Sequence, residues 1–151
     1  MRVLVDTSIW SLALRRTEHL QNPEALELRR LIGAHLAEII GSIRQEVLSG
    51  IRDQSQFGRL ESHLAAFPDL PLLAEDYVTA AKFFNLCRSK GVQGANTDFL
   101  ICAVAVRRDL TIFTTDGDFS LFAKSLPIVL HEFKKATEQT PPRYRRSRSE
   151  M

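Results

Sequence analysis

The sequence is poor in cysteine and has no long apolar run. Only Cys87 and Cys102 occur among its 151 residues, and both lie among apolar neighbours in helical patterns, so we expect reduced, buried thiols. No stretch approaches about 20 uninterrupted apolar residues, so we expect no membrane span. Asp6 interrupts the apolar start and no small-residue cleavage site follows it. We therefore expect no signal peptide and a cytoplasmic protein.

The sequence also lacks a strong excess of either charge. The formal net charge is +2, and the stretch from Thr140 carries +3 of it, which leaves the rest of the chain at −1. A near-neutral body does not hold nucleic acid by charge alone. We expect one domain over residues 1–137, followed by a basic, disordered tail over residues 138–151.

Several catalytic and binding motifs are missing. There is no GxSxG motif, no phosphate-binding loop and no cysteine–histidine spacing typical of zinc. A phosphatase of the haloacid dehalogenase type needs a second aspartate two residues after the first, where this chain has Ser8. The histidines share no motif, so we expect surface or packing roles for all four, which are His19, His35, His63 and His131.

Short apolar segments alternate with helical patterns along the chain. Hydrophobic residues make up 44% and charged residues 25% of the sequence, which is typical of a globular domain. Strand patterns occur at residues 2–5, 38–40, 70–73, 110–115 and 127–130. Strands that alternate with helices favour right-handed crossovers and parallel pairing. We predict an α/β fold: a three-layer α/β/α sandwich with a mainly parallel, about five-stranded sheet.

Local signals predict where some of the helices begin and end. Asn22 followed by Pro23 indicates a helix start, and Ser42 with Gln45 has the spacing of a capping box. Gly91 predicts the end of the helix before it. The pattern "NTDFLICAVAVRRD" is apolar on nearly every side, so we expect that helix to pack on the middle of the sheet.

Four acidic residues occupy unusual positions. Asp6 and Asp116 each follow a predicted strand, and parallel strands end at the same edge of a sheet, where ligands bind in α/β folds. Asp98 is the only charge between Ala95 and Val106. Glu46 follows the second predicted strand, at the border of an apolar helical stripe. The sequence therefore predicts a group of carboxylates at one crevice.

Each acid also has a simple structural explanation. Asp6 would serve as a helix cap, and Asp98 would be stabilised by the helix dipole in a first turn. Asp116 and Asp118 would be turn residues, and Glu46 would be solvated. Together, however, carboxylates at one crevice repel each other by about 4 kcal/mol per pair at about 4 Å. Oxygen-only ligands suit Mg²⁺ or Mn²⁺. We therefore expect a divalent cation among them.

Four motifs in order resemble the PIN-domain nucleases, and more narrowly the VapC-type toxins of toxin–antitoxin pairs. The motifs are "VLVDTSIW", "GSIRQEVLSG", "NTDFLICAVA" and "TIFTTDGDF", and the resemblance spans about residues 1 to 133. It implies a metal-dependent endoribonuclease with Mg²⁺ (or Mn²⁺), a cognate antitoxin protein and a homodimer. By position, the family's catalytic acids match Asp6, Glu46, Asp98 and Asp116. A less regular fifth acid matches Asp118, which the resemblance implies as a further metal ligand.

The resemblance also implies two hydroxyl residues near the site, Ser8 and Thr114. In the mechanism that we expect, Asp6, Asp98 and Asp116 coordinate the metal, with Glu46 directly or through water, and a carboxylate deprotonates the water that attacks the phosphodiester. Hydrolysis by water leaves a 5′-phosphate and a 3′-hydroxyl. Two alternatives stay open: a non-catalytic PIN-like module that binds RNA or protein, and an RNA or DNA processing nuclease outside a toxin–antitoxin pair.

Substrate and partner contacts are less strongly indicated. Arg44 lies two residues before Glu46 and is our candidate for RNA binding, alongside five other basic residues that also suit a solvated helix surface: Lys82, Arg88, Lys90, Arg107 and Arg108. The first two helical patterns carry more large apolar residues than one core face requires. A core role and a partner or dimer surface are equally consistent with four of these, which are Trp10, Leu14, Leu28 and Leu31.

Overall fold

A computed structural model describes residues 1–15 and 22–135, which form three strands and seven helices. The predicted basic tail, 138–151, lies outside the described residues. The strands are β1 (Val3–Val5), β2 (Ala37–Glu38) and β3 (Thr111–Phe113). The helices are α1 (Thr7–Arg15), α2 (Pro23–Gly33), α3 (Gly41–Leu48), α4 (Gln54–Leu64), α5 (Ala74–Ser89), α6 (Asn96–Arg107) and α7 (Asp118–Phe122).

The three strands form one parallel sheet in the order β2-β1-β3. Leu4 of the central strand is paired with Glu38 on one side and with Ile112 on the other. All three residues of β1 are at most 1% exposed. Because successive side chains of a strand point to opposite faces, both faces of the sheet centre are covered. The α/β class and the parallel pairing are confirmed.

The prediction of about five strands is wrong. Of the two missing strands, the segment 70–73 is preceded by a single bridge, between Ile39 and Asp69, and the segment 127–130 contributes one bridge, between Ile112 and Leu130. Both segments contain a proline, Pro71 or Pro127, which has no N–H to donate to a strand ladder. Each segment lies at a sheet edge with one bridge, and its proline lacks the N–H that would lengthen the ladder there.

Two of the predicted helix boundaries are confirmed. The Asn22 side chain accepts hydrogen bonds from two backbone N–H groups of the first turn of α2. Helix α5 ends at Ser89, and Gly91 follows with a φ of +76°, a conformation that glycine adopts without strain. These residues act through local backbone chemistry, which explains why sequence alone locates them.

The predicted capping box at Ser42 is wrong. Helix α3 already begins at Gly41, after Ile40, and no side chain caps it. Ser42 therefore lies inside the first turn, and its buried Oγ has no hydrogen-bond partner among the residues that the structure describes.

Helix α6 packs in the centre of the molecule, as predicted. Seven consecutive residues, Phe99 to Ala105, are buried, and the helix contacts α5 and β3. Cys87 and Cys102 are free, buried thiols, and burial raises the pKa of both. Within residues 1–15 and 22–135 no helix is long and apolar enough to cross a membrane. Three of the predicted acids lie at or just beyond the ends of these central elements: Asp6 follows β1, Asp116 comes after β3, and Asp98 lies in the first turn of α6.

Candidate active site

Asp6 lies directly after β1 and is held by two hydroxyl groups. Its side chain is nearly buried, with the residue 6% exposed. The Asp6 Oδ2 atom accepts hydrogen bonds from Ser8 Oγ at 2.9 Å and from Thr114 Oγ1 at 2.8 Å. The two hydroxyls predicted near the site thus both contact Asp6. They fix the orientation of the carboxylate and satisfy one of its oxygens.

Glu46 reaches the same region from α3. Its Oε2 atom accepts a hydrogen bond of 2.7 Å from the hydroxyl of Thr7 in the first turn of α1. Thr7 follows Asp6 in sequence, so this contact joins α3 to the segment that carries Asp6. Sequence reasoning did not single out Thr7, because only the fold brings residues 7 and 46 together.

Asp98 is the third residue of α6, and the charges of the other acids affect its pKa. Its Oδ2 accepts a hydrogen bond from the Ala95 N–H at 3.1 Å, so the simple role at a helix start is real. Burial, and then the charges of Asp6, Asp116 and Glu46, raise the pKa of Asp98 from 3.8 to about 6 against that hydrogen bond. Three acids from three other segments therefore lie within electrostatic reach of Asp98.

Asp116 and Asp118 occupy a turn between β3 and α7. The Asp116 N–H donates to Thr114 Oγ1 at 2.9 Å, and the Asp118 N–H donates to Asp116 Oδ1 at 2.9 Å. Asp116 is half-buried, whereas Asp118 is exposed and begins α7. Only Asp116 of this pair is among the acids that raise the pKa of Asp98. A metal-binding role for Asp118 stays a prediction.

The four acids fit a divalent cation in their donor chemistry. In each carboxylate one oxygen accepts a hydrogen bond, and none of the ion pairs among the described residues involves these acids. Oxygen donors without a cationic partner suit Mg²⁺ or Mn²⁺. Across residues 1–15 and 22–135, however, no three acidic, histidine or cysteine side chains are arranged to hold one ion. An ion held by three of these acids would therefore require their side chains to rotate.

Arg44 has structural contacts. Its Nε donates to Asp69 Oδ1 at 3.1 Å, its Nη1 donates to the Leu64 carbonyl at 2.9 Å, and its Nη2 donates to the Phe67 carbonyl. The guanidinium thus fastens α3 to the end of α4 and to the segment that follows it. RNA binding by Arg44 stays a prediction, and these contacts by themselves give Arg44 a structural role.

Arg107 and Arg108 bind a buried acid that sequence reasoning missed. The Asp76 carboxylate is fully buried, and it accepts hydrogen bonds from Arg107 Nη1 at 2.6 Å, from Arg108 Nη1 at 2.8 Å and from Arg108 Nη2 at 3.0 Å. The Arg108 hydrogen bond, ahead of other contacts that oppose burial, holds the pKa of Asp76 well below its usual range. Asp76 stands 31 residues before Arg107, so no local pattern signals the pairing.

A groove of about 630 Å³ lies between α1, α2 and α4. Trp10, Leu14 and Leu28 all line it, while Leu31 is buried in the core. Trp10 and Leu28 are themselves at most 2% exposed. The apolar surplus of the first two helices is thus mostly core, with one open edge at the groove. A partner or dimer surface at that edge stays a prediction.

Comparison with known proteins places the chain in a family. The model of the PIN domain matches residues 3–125. The chain is 34% identical over 127 residues to VapC ribonuclease Mb1587 of Mycobacterium bovis and to ribonuclease VapC11 of Mycobacterium tuberculosis. Each match covers 81% of this chain and 92% of the relative.

Solved structures share the fold. VapBC2 from Rickettsia felis, bound to a DNA fragment from its promoter, matches with a TM-score of 0.69 and 18% identity over 89% of this chain and 100% of that one. FitAcB from Neisseria gonorrhoeae matches with a TM-score of 0.67 and 18% identity over 85% of this chain and 96% of that one. Because the family model matches residues 3–125 and the two VapC ribonucleases are 34% identical over most of the chain, the chain belongs to the PIN-domain family, as a relative of its VapC ribonucleases.

Proposed function

We propose that this protein is a metal-dependent endoribonuclease, the toxin of a toxin–antitoxin pair, and that its active site is the group of acids at the carboxyl edge of the sheet. The observation that carries the proposal is the meeting of Asp6, Glu46, Asp98 and Asp116 from four separate segments, with no basic partner among the described residues. A structural role would leave such mutual repulsion uncompensated.

In this proposal Asp6, Asp98 and Asp116 hold Mg²⁺ or Mn²⁺, and Glu46 contributes directly or through water. A bound divalent ion offsets negative charge on the phosphoryl oxygens and lowers the pKa of water. Ser8 and Thr114 keep Asp6 oriented through their hydrogen bonds to its Oδ2. They leave the other Asp6 oxygen as a donor, which is the usual task of groups behind a metal ligand.

The same residues define the course of hydrolysis. One carboxylate of the group accepts a proton from the attacking water, which is general base catalysis. Attack on the phosphodiester by water leaves a 5′-phosphate and a 3′-hydroxyl. The described histidines take no part: His35 and His63 are exposed, and His131 packs between α2 and two phenylalanine rings. A 2′,3′-cyclic phosphate product would contradict this chemistry.

The direct test is cleavage of a mixed RNA pool by the purified, partner-free protein. We expect cleavage with Mg²⁺ or Mn²⁺, none with EDTA, and none by Asp98→Ala in either condition. Asp109→Asn is the matched control, because Asp109 is an exposed aspartate just after the other end of α6 with a φ of +52°, which asparagine tolerates. Equal cleavage by Asp98→Ala would assign the activity to a contaminant.

Two results would favour the alternatives. No cleavage by folded native protein, together with RNA binding, would favour a non-catalytic module. Metal-dependent cleavage of RNA or DNA with no effect on cell growth would favour a processing nuclease.

For the antitoxin, we propose the groove between α1, α2 and α4 as the docking site. Trp10, Leu14 and Phe67 supply its apolar floor, and Arg29 and Arg59 stand at its rim. This combination suits an amphipathic segment with acidic flanks. Leu14→Asp should abolish co-purification with the co-expressed antitoxin, and Leu121→Asp, at an exposed leucine outside the groove, should not. A homodimer stays a prediction that sedimentation of the purified chain would test.

A further inference from the structure

A second cavity adjoins the acids. It has a volume of about 540 Å³ and lies between α3, α5 and α6; we name it the lateral cavity. Gln45 and Thr97 line it, and each directly precedes one of the acids, Glu46 or Asp98. Its size is in the range of small-molecule sites. The cavity therefore lies beside the two helices that carry Glu46 and Asp98, next to each acid in sequence.

The polar groups of the lateral cavity are uncharged. Gln45, Asn85 and Asn96 contribute carboxamides, and no charged side chain lines the cavity among the described residues. Each carboxamide offers two donors and an acceptor, and none of the three is hydrogen-bonded within the described chain. A phosphate would require cations here, whereas the edge of a nucleobase requires this mixture of donors and acceptors.

Ser42 provides a second, independent indication of a ligand. Its Oγ is buried against the cavity wall and has no hydrogen-bond partner in the described part of the chain. A buried polar atom of this kind is disfavoured by about 1–3 kcal/mol unless something binds to it. The hydroxyl both donates and accepts, so once rotated toward the cavity it would suit either kind of polar atom on a base edge.

Two aromatic rings complete the lining. Tyr77 is 55% exposed at the mouth of the cavity. Phe84 is half-buried and held in place by the Phe99 ring at 5.5 Å and by the Arg88 guanidinium at 5.6 Å. Rigid and exposed rings beside carboxamides are the usual surface for an unpaired RNA base, which stacks on the ring and is read at its edge.

We propose that the lateral cavity binds an unpaired base of the RNA substrate beside the scissile phosphodiester and thereby sets the cleavage-site preference. This inference rests on the proposed ribonuclease function. Gln45 and Asn85 read the base edge, while Tyr77 and Phe84 stack on the base.

The first test maps cleavage sites on a random-sequence single-stranded RNA by sequencing the products. Gln45→Ala and Asn85→Ala should each lower the preference for the favoured base, at one fixed position from the cut, by about tenfold. Gln54→Ala, the same change at an exposed glutamine of α4 outside the cavity, should leave the preference unchanged. Tyr77→Ala should raise KM for all sequences, because stacking tolerates any base. Unchanged preference in both carboxamide variants would overturn the proposal.

The second test does not depend on catalysis. RNA that carries 4-thiouridine is cross-linked to the native protein in EDTA, and the adducts are located by mass spectrometry. We expect adducts on the peptide that contains Tyr77 and Phe84. Adducts there without any metal-dependent cleavage would retain the base site and reject the nuclease, whereas cleavage without adducts would retain the nuclease and reject the base site. A change from dimer to monomer in Tyr77→Ala, with no adducts in the native protein, would assign the cavity to a second copy of the chain and overturn the proposal.

Discussion

The two ends of helix α6 place aspartates in opposite electrostatic environments. At its start Asp98 lies with three other acids, and burial and these charges raise its pKa to about 6. At its end Arg107 and Arg108 enclose the fully buried Asp76, and their hydrogen bonds hold its pKa well below the usual range. The same side chain is thus destabilised as an anion at one end of the helix and stabilised at the other.

This difference separates an active site from a structural contact. The negative charge of Asp76 is compensated, because its carboxylate accepts hydrogen bonds from both arginines and from the Leu73 N–H at 2.7 Å. It fastens the start of α5 to the end of α6. The acids at the carboxyl edge have hydroxyl and backbone donors but no cation among the described residues, so their charge is available to a ligand. Uncompensated charge that folding leaves in place is typical of functional sites.

The largest effect should come from the uncompensated end. Asp98→Asn should lower the RNA cleavage rate on the order of 10³-fold, equivalent to about 4 kcal/mol of barrier. The same variant should unfold at a Tm about 2–4 °C higher in metal-free buffer, because it relieves about 1 kcal/mol of repulsion after screening is allowed for. Cleavage assays and thermal unfolding check the two signs. Loss of both activity and stability would mean that Asp98 is mainly structural.

The next effect concerns the compensated end. Asp76→Asn should lower the free energy of unfolding by about 3 kcal/mol, because it leaves two arginines without their shared anion. Urea denaturation measures the change. Glu75→Gln, at an exposed neighbour on α5, should shift the free energy by no more than about 0.5 kcal/mol. Equal stability of Asp76→Asn and Glu75→Gln would break the comparison between the two ends.

The pH dependence of stability should also differ between the two ends. The folded-state pKa of Asp98, about 6, lies above the ordinary 3.8, so protonation favours the folded, metal-free protein as the pH falls from about 7 to about 4. Asp76 has the opposite sign: its contribution is complete above about pH 4 and is lost below that as it protonates. In denaturation curves recorded at stepped pH, Asp98→Asn should reduce the change of stability between about pH 7 and about pH 4, and Asp76→Asn should reduce the change below about pH 4. If Asp98→Asn changed stability only below about pH 4, and Asp76→Asn only above it, the assignment of the two pH ranges to these residues would be contradicted.

A smaller loss of stability should follow when the arginine side chain at position 108 is replaced by lysine, which keeps the charge but changes the geometry. Arg108 donates to both Asp76 oxygens and also to the Pro71 carbonyl at 2.7 Å. Arg108→Lys keeps the charge but loses the forked geometry, so it should cost about 1 kcal/mol of stability in urea denaturation. Arg52→Lys, in an exposed loop, provides the control. A loss no larger than that of the control would show that charge alone holds Asp76.

Sequence predicted what depends on local pattern and on strand order. Parallel strands bring their carboxyl ends to one edge, which was enough to group Asp6 and Asp116, and a lone charge in an apolar helix marked Asp98. The position of Glu46, after the second predicted strand and beside an apolar helical stripe, joined it to them, and the resemblance to PIN-domain nucleases matched all four. Asparagine before proline and a glycine after a helix identified helix boundaries for the same reason, since their chemistry acts within a few residues.

The remainder depends on contacts that no local pattern contains. The pairing of Asp76 with two arginines spans over 30 residues, and Arg44 joins α3 to the end of α4 by reaching backbone carbonyls. The need for glycine at position 94 is also set by a distant residue, because a Cβ there would lie 2.6 Å from the Phe122 ring. The sheet is narrower than predicted because apolar character indicates burial and not strand pairing. The segments with Pro71 and Pro127 each make one bridge near a sheet edge, and each proline removes one N–H that a longer ladder would use.

The most direct test of the uncompensated site is Mn²⁺ binding measured by isothermal titration calorimetry at fixed pH. The native protein and Asp109→Asn should bind Mn²⁺ with equal affinity, and Asp98→Asn should bind at least about tenfold more weakly. That result would show that a divalent cation is the missing partner of the acids at the carboxyl edge. Equal Mn²⁺ affinity in all three proteins would contradict it.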